Sequence, residues 1–125
     1  MKDHNDFPEI YREHILDLYR NPSGFGELKD FTNQHKSYNS ICGDEIKVQI
    51  KVSKNMVEEA KFSGSGCVIS IVSASLLMEK IKGMNIEDLK KLNKEDMFEI
   101  LKVKVNPGRL KCMLLSLEAL RNSVK

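Results

Sequence analysis

The stretch EIKVQIKV, residues 45–52, alternates polar and apolar side chains without interruption. In an extended chain such alternation separates the two kinds of side chain onto opposite faces. The apolar face carries Ile46, Val48, Ile50 and Val52, and the polar face carries Glu45, Lys47, Gln49 and Lys51. One buried face and one wet face are typical of an antiparallel sheet. We therefore expect a strand here, with MVEEAKFSG, residues 56–64, returning as its hairpin partner after the turn SKN.

Helical signals dominate the rest of the chain. Asp6 and Pro8 are suited to the N-cap and first turn of a first helix, and Asn85, Asn93 and Asn106 are suited to cap three later ones. The predicted helices cover residues 7–20, 68–82, 86–92, 94–102 and 107–123, and a short strand is expected near residues 35–38. The last helix is expected to bury a stripe of Leu110, Met113, Leu114, Leu117 and Leu120. This order of elements predicts an α+β fold.

Length, charge and the N-terminal sequence narrow the class of protein. With 125 residues we expect a single domain, residues 1–125, with a modest core. A net charge of +2 without a stripe of Lys and Arg argues against a nucleic-acid partner. The N-terminal residues do not resemble a signal peptide, and the longest run with few charges, residues 66–78, is too short to span a bilayer. We therefore expect a soluble, cytoplasmic protein with no membrane partner.

The residues best suited to chemical reactivity are the three cysteines, Cys42, Cys67 and Cys112. Cys67 opens a predicted helix, whose N-terminal end stabilises a thiolate, and Cys112 follows Arg109 and Lys111, whose charges favour a thiolate as well. The intervals between the cysteines match no zinc-finger pattern, since Cys-x-x-Cys pairs are absent. From these residues alone, two interpretations stay open: small buried apolar residues, or reactive or metal-binding thiols.

The blocks around the cysteines carry a resemblance to a known family. CGDEIKVQIKV, FSGSGCVISIVSASLLMEKIKG and PGRLKCMLLSLEAL, in this order, resemble the three signature blocks of the iron–sulfur scaffold family: IscU, SufU and the N-terminal part of NifU. NPSGFGEL also resembles the family's Asn-Pro-containing segment, so that the resemblance extends from about Tyr11 to Val124. It implies a three-stranded antiparallel sheet packed against several helices, with the three cysteines and a nearby Asp converging at one tip.

The chain has features of two branches of the family. Lys111 stands where IscU-type proteins have a His, and PGRLKC resembles the Pro-x-Arg-x-Lys-Cys of SufU-type proteins. The Leu-Pro-Pro-Val-Lys segment of IscU is replaced by VNPGR, residues 105–109, which argues against a dedicated Hsp70-type partner. The interval between Cys67 and Cys112 is too short for the insertion of SufU-type proteins. The chain resembles SufU at the site and IscU in length.

The resemblance implies a ligand set of Cys42, Asp44, Cys67 and Cys112. Thiolates are soft donors that suit Zn²⁺ and iron–sulfur clusters, and a single carboxylate makes the set less tight, as a carrier requires. The alternative for Asp44 is an ordinary turn residue. Gly43 is expected to let the backbone fold tightly between Cys42 and Asp44. Lys111 is expected to hold Cys112 as a thiolate or to pair with Asp44, the alternative being a solvated lysine.

Two functions follow from the resemblance. In the first, the protein is a scaffold, without enzymatic activity, that receives sulfur from a cysteine desulfurase, transiently holds a [2Fe–2S] cluster and passes it to apo iron–sulfur acceptor proteins. In the second, it is a SufU-type zinc-dependent sulfurtransferase, with Zn²⁺ on the same four residues and Cys112, beside Lys111, accepting persulfide sulfur. A purely structural zinc site would not need a labile carboxylate ligand.

Overall fold

A computed structural model of the protein describes residues 9–102 and 105–125, with side chains of the first helix described from residue 13 onward. Asp6 and Pro8, at the predicted start of that helix, lie outside the described residues. The elements in chain order are α1 (Glu9–Arg20), β1 (Asn33–Asn39), β2 (Asp44–Ser53), β3 (Met56–Ser65), α2 (Val68–Ile81), α3 (Ile86–Leu89), α4 (Lys94–Leu101), a 3₁₀ turn (Pro107–Arg109) and α5 (Leu110–Ser123). The predicted α+β order is confirmed.

The three strands form one antiparallel sheet in the order β1-β2-β3. In the register of this sheet Asn39 lies opposite Asp44, and Glu45 lies opposite Ser65. The end of β1, the start of β2 and the end of β3 therefore meet at one edge. The loop with Cys42 and the exit towards Cys67 leave the sheet from that edge.

The alternation of β2 is confirmed on its apolar face and corrected at one polar position. Ile46, Val48 and Ile50 are completely buried, whereas Val52 is half-buried beside an irregularity in the pairing with β3. Gln49, predicted to face solvent, is buried because the segment after α1 covers it. The Leu28 backbone N–H donates to Gln49 Oε1 over 2.9 Å, and Gln49 Nε2 donates to Gln34 Oε1 over 2.9 Å. Both polar atoms of the amide thus have a hydrogen-bond partner in a buried position.

Two helices cover the apolar face of the sheet. α5 packs against β1 and β2, and α2 packs against α5 and β3. α1 and α4 in turn pack against α2. Met113, Leu117 and Leu120 of the predicted α5 stripe are buried, while Leu110 and Leu114 are only half-buried. The N-terminal ends of α2 and α5 bring Cys67 and Cys112 towards the sheet edge.

The short helices begin where the sequence predicts. The Asn85 side chain accepts a hydrogen bond from the Glu87 backbone N–H, and Asn93 forms a capping box with Asp96. Asn106 accepts from the Gly108 backbone N–H and opens the 3₁₀ turn that precedes α5. None of the helices in residues 9–102 and 105–125 has the length and apolar character needed to cross a membrane.

Candidate metal centre

The four residues of the predicted ligand set lie together at the sheet edge. Cys112 Sγ lies 3.6 Å from Cys42 Sγ, and Cys67 Sγ lies 3.7 Å from Asp44 Oδ2. One donor atom each from Cys42, Asp44 and Cys112 lie within 4.8 Å of one another. These contacts join residues from the β1–β2 loop, from β2, from the start of α2 and from α5.

A tight turn brings Cys42 and Asp44 to the same place. The Gly43 backbone N–H donates to the Asn39 carbonyl over 2.8 Å, and Gly43 adopts a φ of 73°. No atom lies within 4 Å of the position that a Cβ would occupy, so the glycine is needed for its left-handed backbone and not for space. The turn leaves Cys42 exposed and places Asp44 in a buried position at the start of β2.

A second glycine allows the Cys67 segment to approach Asp44 closely. A Cβ on Gly66 would lie 2.3 Å from Ser70 Oγ and 3.0 Å from Asp44 Cγ, so a side chain at this position does not fit. Cys67 follows as the N-cap residue of α2, which places it at the helix start as the sequence predicts. Its side chain makes no regular cap hydrogen bond and faces the site.

The thiol of Cys67 is the one poised to ionise. Burial raises its pKa, but the backbone N–H and the hydroxyl of Ser70 favour the thiolate more strongly, and the pKa of Cys67 lies below its ordinary value. Cys112 contributes in the same direction, while the Asp44 carboxylate opposes it. This outcome agrees with the expectation for a thiol at a helix N-terminus.

The thiol of Cys112 behaves in the opposite way and corrects a prediction. Its side chain is completely buried, which raises the pKa of Cys112 far above its usual range, and its S–H also faces acceptors on Cys42, Cys67 and Asp44. The expectation that Arg109 and Lys111 hold Cys112 as a thiolate is therefore wrong for the metal-free protein. Desolvation of a buried anion outweighs the attraction of cations at the surface.

Arg109, the residue before α5, is a cation that interacts with the thiols. The pKa of the Arg109 guanidinium lies above its usual range because the Cys67 thiolate attracts it and accepts a hydrogen bond from it, with smaller contributions from Cys112 and Cys42. Lys111 is exposed and lines a groove of about 300 Å³ together with Tyr38 and Ile41. In the part of the chain that the structure describes, no ion pair joins Lys111 to Asp44.

Asn39 is a buried site residue to which the sequence analysis assigned no role. Its Nδ2 donates to Cys112 Sγ over 3.7 Å. Its signal in the sequence is that it begins the block NSICGD, which resembles the first motif of SufU-type proteins, three residues before Cys42. The position by itself does not distinguish a site residue from an Asn in a turn.

The spacing of three donors, one each from Cys42, Asp44 and Cys112, fits a single ion. With zinc–sulfur bonds of about 2.3 Å, two sulfurs of a tetrahedron lie roughly 3.8 Å apart, close to the 3.6 Å between Cys112 Sγ and Cys42 Sγ. Cys67 lies outside this group of three and adjoins it through Asp44, with 3.7 Å between Cys67 Sγ and Asp44 Oδ2. Three thiolates with one carboxylate are a suitable donor set for zinc or iron. A two-iron cluster divides its ligands between two ions, and the exposed loop with Cys42 is the part of the site with room to move outwards.

Arg109→Gln should make the Cys67 thiol less reactive in the metal-free protein. Attraction between guanidinium and thiolate acts on both groups, so its loss raises the pKa of Cys67, and each half unit lowers the thiolate fraction about threefold. Alkylation of Cys67 by iodoacetamide at neutral pH, followed by peptide mass spectrometry, measures this change. Lys111→Gln removes the same charge two positions away and should have a much smaller effect. Equal effects of the two substitutions would contradict the role of Arg109.

Comparison with known proteins places these observations in a family. Residues 10–125 match the profile of the NifU-like N terminal domain. The iron–sulfur cluster assembly scaffold protein IscU of Thermotoga maritima is 37% identical over 95% of this chain and 95% of its own length. The zinc-dependent sulfurtransferase SufU of Bacillus subtilis is 36% identical over 92% of this chain and 89% of its own length.

Solved structures show the same fold. The crystal structure of FiSufU, from Fervidobacterium islandicum AW-1, has a TM-score of 0.78 at 25% identity and covers 98% of both chains. The N-terminal NifU-like structure from Brucella abortus has a TM-score of 0.74 at 18% identity over 92% of both chains and is similar in fold. The order of elements, the clustered thiols and these matches agree, and the chain belongs to the family of NifU-like N-terminal domains.

Proposed function

We propose that the protein is an iron–sulfur cluster assembly scaffold. It receives sulfur from a cysteine desulfurase, holds a [2Fe–2S] cluster transiently on Cys42, Asp44, Cys67 and Cys112, and passes the cluster to apo acceptor proteins. The observation that carries this proposal is the convergence of three thiols and one carboxylate at a single sheet edge. The similarity to the Thermotoga maritima protein, which is named as a scaffold, supports it.

The burial of Asp44 favours a ligand role over that of a turn residue. A carboxylate that only shapes a turn is normally solvated, whereas Asp44 is 4% exposed and faces the sulfur of Cys67. Stable clusters usually have four cysteine ligands, and a hard oxygen donor holds iron less tightly than a thiolate. A set with one carboxylate therefore suits a protein that must give up its cargo.

The alternative, a zinc-dependent sulfurtransferase, is favoured by the compactness of the site. The donors of Cys42, Asp44 and Cys112 are spaced to hold one ion, and the similar Bacillus subtilis protein carries this name. Here Zn²⁺ occupies the same four residues, and a cysteine thiolate attacks the outer sulfur of the desulfurase persulfide. The donor's S–S bond breaks as the new S–S bond forms, the donor departs as a thiolate, and no external oxidant is required.

Accessibility bears on which cysteine accepts sulfur in this alternative. The sequence favoured Cys112, but its thiol is completely buried, whereas Cys42 is exposed in the loop. A persulfide on another protein must come within bonding distance of the accepting sulfur, about 2 Å. We therefore infer that Cys42 is the acceptor and that Cys112 stays a ligand.

Anaerobic incubation with Fe²⁺, cysteine, a cysteine desulfurase and dithiothreitol, the thiol that reduces persulfide sulfur to sulfide, distinguishes the two functions. For the scaffold we expect iron and sulfide in equal amounts on the protein and the visible absorption of a [2Fe–2S] cluster. For the sulfurtransferase we expect bound zinc to persist and the desulfurase to turn over faster without cluster formation. A protein that does neither contradicts both functions.

Asp44→Ala should slow cluster transfer and loosen zinc. Three thiolates still retain a cluster, but the route by which the carboxylate helps to displace them is lost, so transfer to an apo-ferredoxin should be several-fold slower. Loss of one ligand should lower the zinc affinity by at least about tenfold, measured by competition with a chelator. Asp30→Ala, in an exposed turn remote from the site in sequence, is the control. Unchanged transfer and unchanged zinc affinity would return Asp44 to the role of a turn residue.

Substitution of single cysteines should locate the persulfide. After incubation with desulfurase and cysteine, the parent protein should carry an additional sulfur on the peptide that contains Cys42. Cys42→Ser should abolish this sulfur, whereas Cys112→Ser should reduce zinc binding and still allow sulfur to reach Cys42. Mass spectrometry of alkylated peptides measures both. Persulfide on Cys112 in the parent would restore the assignment made from the sequence.

A further inference from the structure

One buried side chain, Asn39, contacts several parts of the proposed site at once. Its Nδ2 donates to Cys112 Sγ over 3.7 Å, and its Oδ1 accepts from the Ile41 backbone N–H over 3.3 Å. The Asn39 carbonyl accepts the Gly43 N–H over 2.8 Å, and Asn39 pairs with Asp44 across the sheet. A single residue at the end of β1 thus connects the loop with Cys42, the start of β2 and the buried cysteine of α5.

The orientation of the Asn39 amide follows from these contacts. Its oxygen is engaged by the Ile41 N–H, so the NH₂ group is the end that faces the Cys112 sulfur. Once Cys112 binds a metal as a thiolate, a carbonyl oxygen facing its sulfur would be repelled, whereas an amide N–H facing it is an attractive, charge-assisted contact. The residue is 7% exposed, so water does not compete effectively for this donor.

We propose that Asn39 is the positioning residue of the metal centre, acting through an N–H···S hydrogen bond to Cys112. The inference rests on the proposed ligand set. The hydrogen bond directs the Cys112 sulfur towards the ion and withdraws part of its negative charge, so the sulfur donates less strongly to the metal. The Asn39 contacts to Ile41 and Gly43 hold the loop with Cys42 in register. Cys112 is thereby the retained ligand, whereas the loop with Cys42 is held only by these turn hydrogen bonds.

Two substitutions separate the hydrogen bond to sulfur from the support of the loop. In Asn39→Ser the hydroxyl can still accept from a backbone N–H two residues on, as Ser does in such turns, but it is too short to reach the sulfur. Asn39→Ala loses both contacts. Neither substitution changes the charge. Asn93→Ser is the matched control, because Asn93 caps α4 and Ser is also a good N-cap.

Titration with Co²⁺, which reports on sulfur ligands through charge-transfer absorption, gives the decisive readout. In Asn39→Ser and Asn39→Ala the sulfur-to-cobalt band should move to lower energy, because a sulfur without its hydrogen bond is the stronger donor. Zinc affinity should fall about tenfold in Asn39→Ser, within the range for residues that hydrogen-bond a metal ligand, and further in Asn39→Ala. Asn93→Ser should match the parent in both measurements.

The outcomes distinguish the positioning role from a merely structural one. A loss of zinc affinity with an unmoved sulfur-to-cobalt band in Asn39→Ser would show that Asn39 acts only through the loop, and would overturn the proposal. An Asn39→Ser variant with the zinc affinity and the band of the parent would overturn it as well. A parent protein without any sulfur-to-cobalt band would instead contradict the proposed ligand set. Should Asn39→Ser fail to fold, Asn39→Asp keeps the acceptor and the shape of the side chain, and its band should shift in the same direction.

Discussion

The antiparallel register of β2 determines where the site lies, because core and site occupy the same face of this strand. Side chains on a strand alternate, so Asp44 points to the same side as Ile46, Val48 and Ile50. The apolar face of β2 thus ends in a carboxylate at the sheet edge, where Asn39 lies opposite. A slip of one residue would move the whole set to the other face. The burial that stabilises the fold therefore also fixes the position of Asp44.

α2 and α5 each bring one thiol to the site from the helical side of the sheet. The pKa values of these two thiols differ because burial and local dipoles have opposite effects. Cys67 precedes α2 and Cys112 is in the first turn of α5, so both lie near a helix N-terminus, which favours a thiolate. Polar groups of Ser70 reach Cys67 and lower its pKa, whereas complete burial of Cys112 raises its pKa. The pKa difference between the two thiols therefore follows from the burial of the side chain and not from its position on a helix alone.

The sequence predicted those features that depend on neighbours along the chain. The hairpin of β2 and β3, the caps Asn85 and Asn93 and the glycine turn beside Cys42 are local, and each is present as expected. Gln49 was misplaced because the cover over it comes from Leu28, which is distant in sequence.

The interaction of Arg109 with the thiols was equally beyond what the sequence could predict. Arg109 and Lys111 are two residues apart, and a 3₁₀ turn changes to α5 between them. The burial of Cys112 and the contact from Asn39 likewise require the packing of α5 on β1, which no local pattern encodes.

The four proposed ligands are buried to different degrees, and this difference determines from which side a bound ion or cluster would be exchanged. Cys112 and Asp44 are buried, Cys67 is partly covered, and Cys42 is exposed beside Ile41, which is 78% exposed. A buried donor cannot be replaced without opening the packing of α5 on the sheet, whereas the loop with Cys42 has only its turn hydrogen bonds to lose. In the proposed function, exchange is therefore expected to begin at Cys42. A protein that delivers sulfur to this thiol, or removes a cluster from it, would then approach over the loop that carries Ile41.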